Sequence, residues 1–321
     1  MNSPSLQAEA VESSEQCSSA SGISVMSNGT ITASASSSND RRGVHLASDV
    51  KFALYNDHYQ NWKSYQIQKA QLVIADIPYN IGKNAYGSNP SWYIDGDNAN
   101  GESDKAGKEF FDTDKDFRIT EFLHFCSTLM IKEPKETGKA PCMIVFCEFE
   151  QQFELIEKAK RYGLNKYINL VFRKNFSAQV LKANMRIVGN CEYGLLLYRD
   201  KLPKFNNDGK MIFNCIDWER DNDTPKIHPT QKPVKLLERL IRIFTDEGDV
   251  VIDPVAGSGS TLLAAMNCGR RAYGFEIKKD FHREAVKLLE ARKVEIEETE
   301  KYGFSPTVMS KEHPVLFGGL I

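Results

Sequence analysis

Residues 250–261 read VVIDPVAGSGST. An apolar run closes on an acid, Asp253. A tight loop with Gly257 and Gly259 follows, and Ser260 opens a helical pattern that stops at Gly269. A strand, a glycine loop and a helix in direct succession let a ligand approach the backbone and aim unpaired N–H groups at it. The dinucleotide pattern GxGxxG and the P-loop lysine are both absent. The next strand candidate ends in Glu276, about twenty residues on, where an acid accepts hydrogen bonds from a ribose. Together these features favour a nucleoside-type cofactor site over a plain turn.

Working outward, apolar strand patterns occupy 51–56, 72–76, 142–147, 167–172, 192–199, 249–253 and 271–276. Helical periods fill 118–131, 151–162, 233–245, 260–268 and 279–298. Strands alternating with helices predict an α/β fold with a doubly wound, mostly parallel sheet. Residues 1–45 are rich in Ser, Ala, Asn and Gly and poor in large apolar residues, so we expect a disordered tail. Residues 82–116 are polar and long for a connection, which marks them as functional or mobile. Their DGDNANGES stretch lacks the glycine and one ligand of a calcium loop.

The chain has 321 residues, 41% of them hydrophobic, and a net charge of −2. No apolar run reaches the roughly 18 residues of a membrane span, and no secretory signal is visible. The seven cysteines form no CxxC pair and read as reduced core residues, so no metal site is expected. Charge is uneven along the chain. Lys158, Lys160, Arg161, Lys166, Arg173, Lys174, Lys182 and Arg186 form a run of eight basic residues without an acid. That is either a solvated face or a phosphate-contacting surface.

Two further segments matter. Residues 76–80 read DIPYN, an acid at a strand end followed by a rigid turn and an aromatic ring. Residues 228–233 read HPTQKP, polar residues bracketed by prolines before a helix; taken alone they read as an ordinary helix entry, with Pro233 fixing the first turn. With DPVAGSGS, these occur in the order in which the β-group DNA amino-methyltransferases carry their motifs, and the chain resembles that family over roughly residues 50–295. Ile77 and Val255 depart from the family's preferred proline and phenylalanine.

The resemblance implies a seven-stranded sheet of the S-adenosylmethionine-dependent, Rossmann-like methyltransferase type, circularly permuted so that the catalytic half comes first. It implies a methyltransferase domain over 46–300, with a catalytic half at 46–200, a target-recognition segment at 201–227 and a cofactor half at 228–300. Residues 301–321 form an extension. The implied cofactor is S-adenosyl-L-methionine. The implied substrate is the N6 amino group of adenine in double-stranded DNA, reached by base flipping. N4 of cytosine, a catalytically inactive DNA-binding relative, and RNA or protein methylation are the alternatives; aspartate at position 76 favours adenine. A cognate restriction enzyme and a homodimer are open partners, and the expected place is the cytoplasm of a bacterial or phage-infected cell.

The same resemblance distributes roles. Asp76 and the carbonyl of Ile77 accept the two amine protons, Pro78 holds Ile77 extended, and Tyr79 stacks on the base. The cofactor falls to Asp57, Asp76, His228, Thr230, Gln231, Lys232, Asp253, Ala256, Gly257, Ser258, Gly259 and Glu276. For Asp57 an ordinary strand-end turn is an equal reading. Lys158, Lys160, Arg161, Arg173, Lys174, Lys182 and Arg186 are assigned to DNA.

Overall fold

The computed structural model describes residues 31–32, 52–79, 117–175, 189–228 and 230–303. Among the described residues nine strands form a single sheet: β1 (Ile31–Thr32), β2 (Phe52–Tyr55), β3 (Leu72–Asp76), β4 (Cys142–Cys147), β5 (Lys166–Lys174), β6 (Cys191–Tyr198), β7 (Cys215–Trp218), β8 (Val250–Asp253) and β9 (Arg271–Phe275). Their order across the sheet is β1-β2-β9-β8-β3-β4-β6-β5-β7. β1 is antiparallel to β2, and β6 is antiparallel to both its neighbours. The other pairs are parallel.

Among the described residues five α-helices cover the faces: α1 (Ile119–Leu129), α2 (Gln151–Ala159), α3 (Val234–Phe244), α4 (Ser260–Asn267) and α5 (Lys279–Tyr302). Strand residues alternate between two cores, as the two-residue strand period requires. Leu72 and Ile74 join Leu237, Leu240, Leu263 and Leu289 on the side of α3, α4 and α5. Val73 and Ala75 join Phe122, Phe125 and Leu155 on the side of α1 and α2. Both faces are therefore buried, which is why β3, β4 and β8 read as unbroken apolar runs.

The sheet has two strands more than the seven expected. Both additions are short edge strands. β7 reads CIDW, with Ile216 and Trp218 buried and Cys215 and Asp217 exposed. Four alternating residues inside a polar segment give too weak a signal to stand out. β1 falls inside the expected tail, where the pair Ile31–Thr32 docks on Ala53 and Leu54. The rest of 1–45, and all of 82–116, lie outside the described residues.

The end of α3 that faces the sheet edge is fixed from a distance. Pro233 stands at its N-cap in extended geometry, and Asp221 Oδ2 accepts from the Val234 N–H at 3.0 Å. α5 runs to Tyr302 and closes on Gly303 in the left-handed region, four residues beyond the expected end.

Candidate active site

β8 and β3 are parallel neighbours, with Leu72 against Val251 and Val73 against Ile252. From β8 the sheet proceeds to β9 and β2 on one side; from β3 it proceeds to β4 on the other. The connections thus diverge between Asp253 and Asp76, and a crevice opens at the carboxyl ends of the two strands. In doubly wound sheets that is where ligands bind.

On the β8 side the glycine loop is held tightly. Ala256 N–H donates to the Phe275 carbonyl at 2.8 Å, and Gly259 N–H to the Ala256 carbonyl at 2.8 Å. Gly257 and Gly259 have φ of +52° and +75°, which other residues rarely adopt. A Cβ at Gly259 would also lie 3.2 Å from Ala285 Cβ. Ser258 and Ser260 share a hydroxyl hydrogen bond at 2.8 Å. Glu276 closes the loop from the end of β9. Its Oε2 accepts from Gly257 N–H at 2.9 Å and its Oε1 from Lys278 N–H at 2.7 Å.

Two carboxylates on this side are reluctant to ionise. Burial pushes Asp253 up to about 7, against hydrogen bonds from Thr261 and the Val255 N–H. Burial likewise pushes Glu276 up to about 7, against its N–H donors. A carboxylate offers about four lone-pair positions, so Glu276 retains acceptor capacity beside the loop.

The HPTQKP segment divides between the two sides. The ring of His228 lies over the loop, 3.6 Å from where a Gly257 Cβ would stand, and 4.6 Å from the ring of Phe281. Burial, with Lys232 and Lys278 nearby, lowers the His228 imidazole to about 4. Thr230 meets His228 Nδ1 through its hydroxyl at 3.0 Å. Gln231 folds back on its own turn, accepting from Ile227 N–H at 3.0 Å and donating to the Pro225 carbonyl at 3.1 Å. Lys232 turns to the β3 side. Its Nζ lies 2.5 Å from Asp76 Oδ2 and 3.1 Å from Glu192 Oε2.

Around Lys232 the β3 side forms a buried network. Glu192, at the start of β6, pairs with Lys174 through Oε1 and takes the Tyr79 hydroxyl at 3.3 Å through Oε2. The rings of Phe146, Tyr79 and Trp218 stand 5.1, 5.5 and 5.5 Å from Lys232 Nζ. Trp218 also carries Lys174 Nζ at 4.7 Å. Gln151 Nε2 donates to the Pro78 carbonyl at 2.8 Å, which props the turn after Asp76. Ile77 is buried, and its N–H reaches the Phe146 carbonyl at 3.2 Å.

The charges of this network are set by burial and by one another. Burial raises the Asp76 carboxyl, against the pull of Lys232. Burial works against Glu192 too, but Lys232 and Lys174 hold it below its ordinary value. Lys232 stays above its own, because Asp76 and Glu192 outweigh the burial that opposes its charge. Among the described residues Asp76 Oδ1 has no hydrogen-bond partner although it is shut off from water. Such an atom is costly unless a ligand donor meets it.

Of the remaining expected residues, Asp57 stands just past β2, beside the end of β9: Tyr55 pairs with Phe275, and Asn56 Nδ2 donates to the Glu276 carbonyl at 2.8 Å. Asp57 accepts from His58 N–H, Asn61 and Tyr65, each at 2.7 Å, as a turn residue does. The basic run does not form one surface. Lys174 is buried in the network. Lys166 pairs with Tyr198 at the edge of the sheet where β4 begins, and Arg173 pairs with Cys191 at the edge where β4 ends. α2 runs back from that second edge, so Lys158, Lys160 and Arg161 lie at the far end from Asp76. Lys158 and Lys160 pair with Glu154 and Glu157. Lys182 and Arg186 lie outside the described residues. Sequence reading missed Glu192, Trp218, Phe146 and Gln151. The one available signal was an acid opening an otherwise apolar strand, at 192.

With this geometry in view, the comparisons with known proteins are specific. The family model described as DNA methylase, of the N6/N4 type, matches residues 70–287. The chain belongs to the DNA methylase family. The methylase YubD of Escherichia coli is 32% identical over 48% of this chain and 63% of its own length. The E. coli DNA adenine methyltransferase YhdJ is 27% identical over 77% of this chain and 85% of its own. Among solved structures, the M1.HpyAVI–SAM complex has a TM-score of 0.52 at 20% identity and covers 74% of this chain and 99% of that one. The cytosine-N4-specific PvuII DNA methyltransferase also scores 0.52, at 16% identity, covering 78% and 92%. These structures share the fold. The DNA methylase has no helix among its described residues that is long and apolar enough to cross a membrane.

Proposed function

We propose that this DNA methylase transfers a methyl group from S-adenosyl-L-methionine to the N6 amino group of adenine in double-stranded DNA. The observation that carries the reading is Asp76 Oδ1, a buried acceptor without a donor among the described residues, at the carboxyl end of β3 beside the glycine loop. The name of YhdJ, a DNA adenine methyltransferase, supports adenine.

The residues of the β8 side fit the cofactor. Gly257 and Gly259 allow the left-handed turns of the loop and, at Gly259, its close packing on α5, and Glu276 offers acceptors for ribose hydroxyls at the end of the adjacent strand. Asp253 and His228 line the same crevice. When bound, the cofactor supplies an activated methyl group on a sulfonium sulfur.

The work of the chain is done at the amine. The lone pair of an exocyclic amine is delocalised into the ring, so the nitrogen is a poor nucleophile. Asp76 Oδ1 accepts from one N–H and the Ile77 carbonyl from the other, which localises the lone pair. The carboxylate also offsets the positive charge that develops on nitrogen. Tyr79 offers a flat face to the extruded base. Holding the groups in line supplies the rest of the acceleration. Mass spectrometry of nucleosides from duplex DNA treated with the purified protein tests the reading: N6-methyladenine is expected, and methylated cytosine alone would overturn the base assignment.

A further inference from the structure

Nothing in the family's three motifs accounts for Glu192. It is the second residue of β6, whose antiparallel course brings its first residues to the end of the sheet where β3 and β4 finish; Cys147 pairs with Tyr193, the next residue. There both its oxygens are engaged: Oε1 by Lys174, and Oε2 by Lys232 at 3.1 Å and by the Tyr79 hydroxyl at 3.3 Å. Lys232 is 6% exposed and walled by three aromatic rings, and its ammonium is held by the two acids, with a longer contact to the Tyr79 hydroxyl at 3.4 Å. Two acids and two ammonium groups balance within the cluster.

We propose that Glu192 is a positioning residue of the methyl-transfer site: it holds the Lys232 ammonium against Asp76 Oδ2, which leaves Oδ1 as the acceptor for the target amine. The inference rests on the reading of Asp76 as that acceptor. Charge-assisted hydrogen bonds are short and directional, and Lys232 tethered from both ends fixes the rotation of the Asp76 carboxylate. Lys174, stacked on Trp218, holds the far oxygen of Glu192 and keeps the tether from swinging. Lys232 also favours the ionised form of Asp76. The other titratable groups facing Asp76 are Glu192 from β6, Tyr79 from its own loop, Cys147 from β4 and Asp253 from β8, and all four are acidic.

The test is a double-mutant cycle on single-turnover methylation of a duplex oligonucleotide, using Glu192→Gln, Lys232→Met and the pair. Each single change should slow transfer about 10-fold or more, the size of a lost charged hydrogen bond. Cofactor affinity should stay within about 2-fold, and the pair should be no slower than the slower single within about 2-fold, because Glu192 acts through Lys232. Lys232→Met should also move the acid limb of the pH–rate profile upward, since Asp76 then faces acids alone, and Lys232→Arg should bring the limb back. Additive losses, or a Glu192→Gln protein with unchanged rate, would overturn the proposal. If Glu192→Gln does not fold, Glu192→Gln with Lys174→Met removes one acid and one base and carries the same expectation. Asp76→Ala separates the two readings. If it loses transfer while the Glu192 and Lys232 variants keep it, only this inference fails. If it keeps transfer, the acceptor reading fails first.

Discussion

Lys232 Nζ sits 2.5 Å from Asp76 Oδ2, across 156 residues of chain. Four residues earlier, His228 rests on the glycine loop instead. One short segment ahead of α3 therefore touches both the glycine loop and the Asp76 network. Proximity of the two halves is what methyl transfer needs, since donor and acceptor atoms must be held in near-attack geometry. The segment can hold this place because its ends are anchored, by Gln231 within the turn and by Asp221 on the first N–H of α3.

Asp76→Asn should abolish transfer while cofactor affinity survives. The amide keeps the shape of the carboxylate but loses its charge, so it neither offsets the charge developing on nitrogen nor satisfies Lys232. We expect a loss of about 10²-fold or more, the scale of removing a positioned proton acceptor. Calorimetric titration with S-adenosylmethionine should give nearly wild-type affinity. Loss of cofactor binding would place Asp76 on the wrong side of the crevice.

Glu276→Ala should weaken cofactor binding by about 1–3 kcal/mol, the cost of removing a charged acceptor from buried donors. Part of that loss comes through the loop, because Gly257 N–H also loses its partner. Glu276→Gln, which keeps one acceptor, should lie between the two. Equal affinities for all three proteins would mean that the ribose binds elsewhere.

Asp253 makes stability depend on pH in a defined direction. Its folded value of about 7 lies above the ordinary 3.8, because burial disfavours the charge. The folded state therefore binds its proton more tightly than the unfolded state does. The penalty is absent when both states are protonated and grows as pH rises from about 4 to about 7, levelling off at a few kcal/mol. Asp253→Asn removes the charge and keeps an acceptor for Val255 N–H and Thr261. In thermal unfolding without cofactor, its gain over wild type should be larger at about pH 8 than at about pH 5. A pH-independent difference would contradict the assignment.

The central strands and all five helices were legible, because their apolar periods are long and both faces of the sheet are buried. DIPYN and the glycine loop were legible as chemistry for a different reason: each ends a strand, where side chains converge on the crevice. HPTQKP read on its own as an ordinary helix entry, and only the family resemblance marked it. The partnership of Glu192, Trp218 and Lys232 was not legible. It depends on the antiparallel register of β6 and on the edge position of β7, and neither leaves a mark in the spacing of residues. The scatter of the basic run left no mark either. Adjacent in sequence, its described members are carried by α2 and β5 to opposite ends of the strands, and Lys174 is turned inward.

That division makes the last prediction. Of the described basic residues in the run, Arg173 lies at the sheet edge that holds Asp76 and is exposed, with 60% of its side-chain surface accessible. It borders a cavity of about 450 Å³ with Lys174, Asn175, Asp217, Trp218 and Glu219. Its ion pair with Asp217 is open to solvent, and such pairs contribute little. A phosphate could therefore replace Asp217 at small cost. Lys158, Lys160 and Arg161 sit at the other end of α2, and a duplex engaged at Asp76 would not reach them without wrapping the sheet. Arg173→Ala should thus weaken duplex binding and reduce the slope of log affinity against log salt by about 0.9, one phosphate contact. Replacing Lys158, Lys160 and Arg161 together should leave the slope unchanged, although it removes three times the charge. Fluorescence anisotropy across a salt series reads both. Equal slopes for wild type and Arg173→Ala, or a steeper effect from the triple change, would put the DNA on the opposite edge.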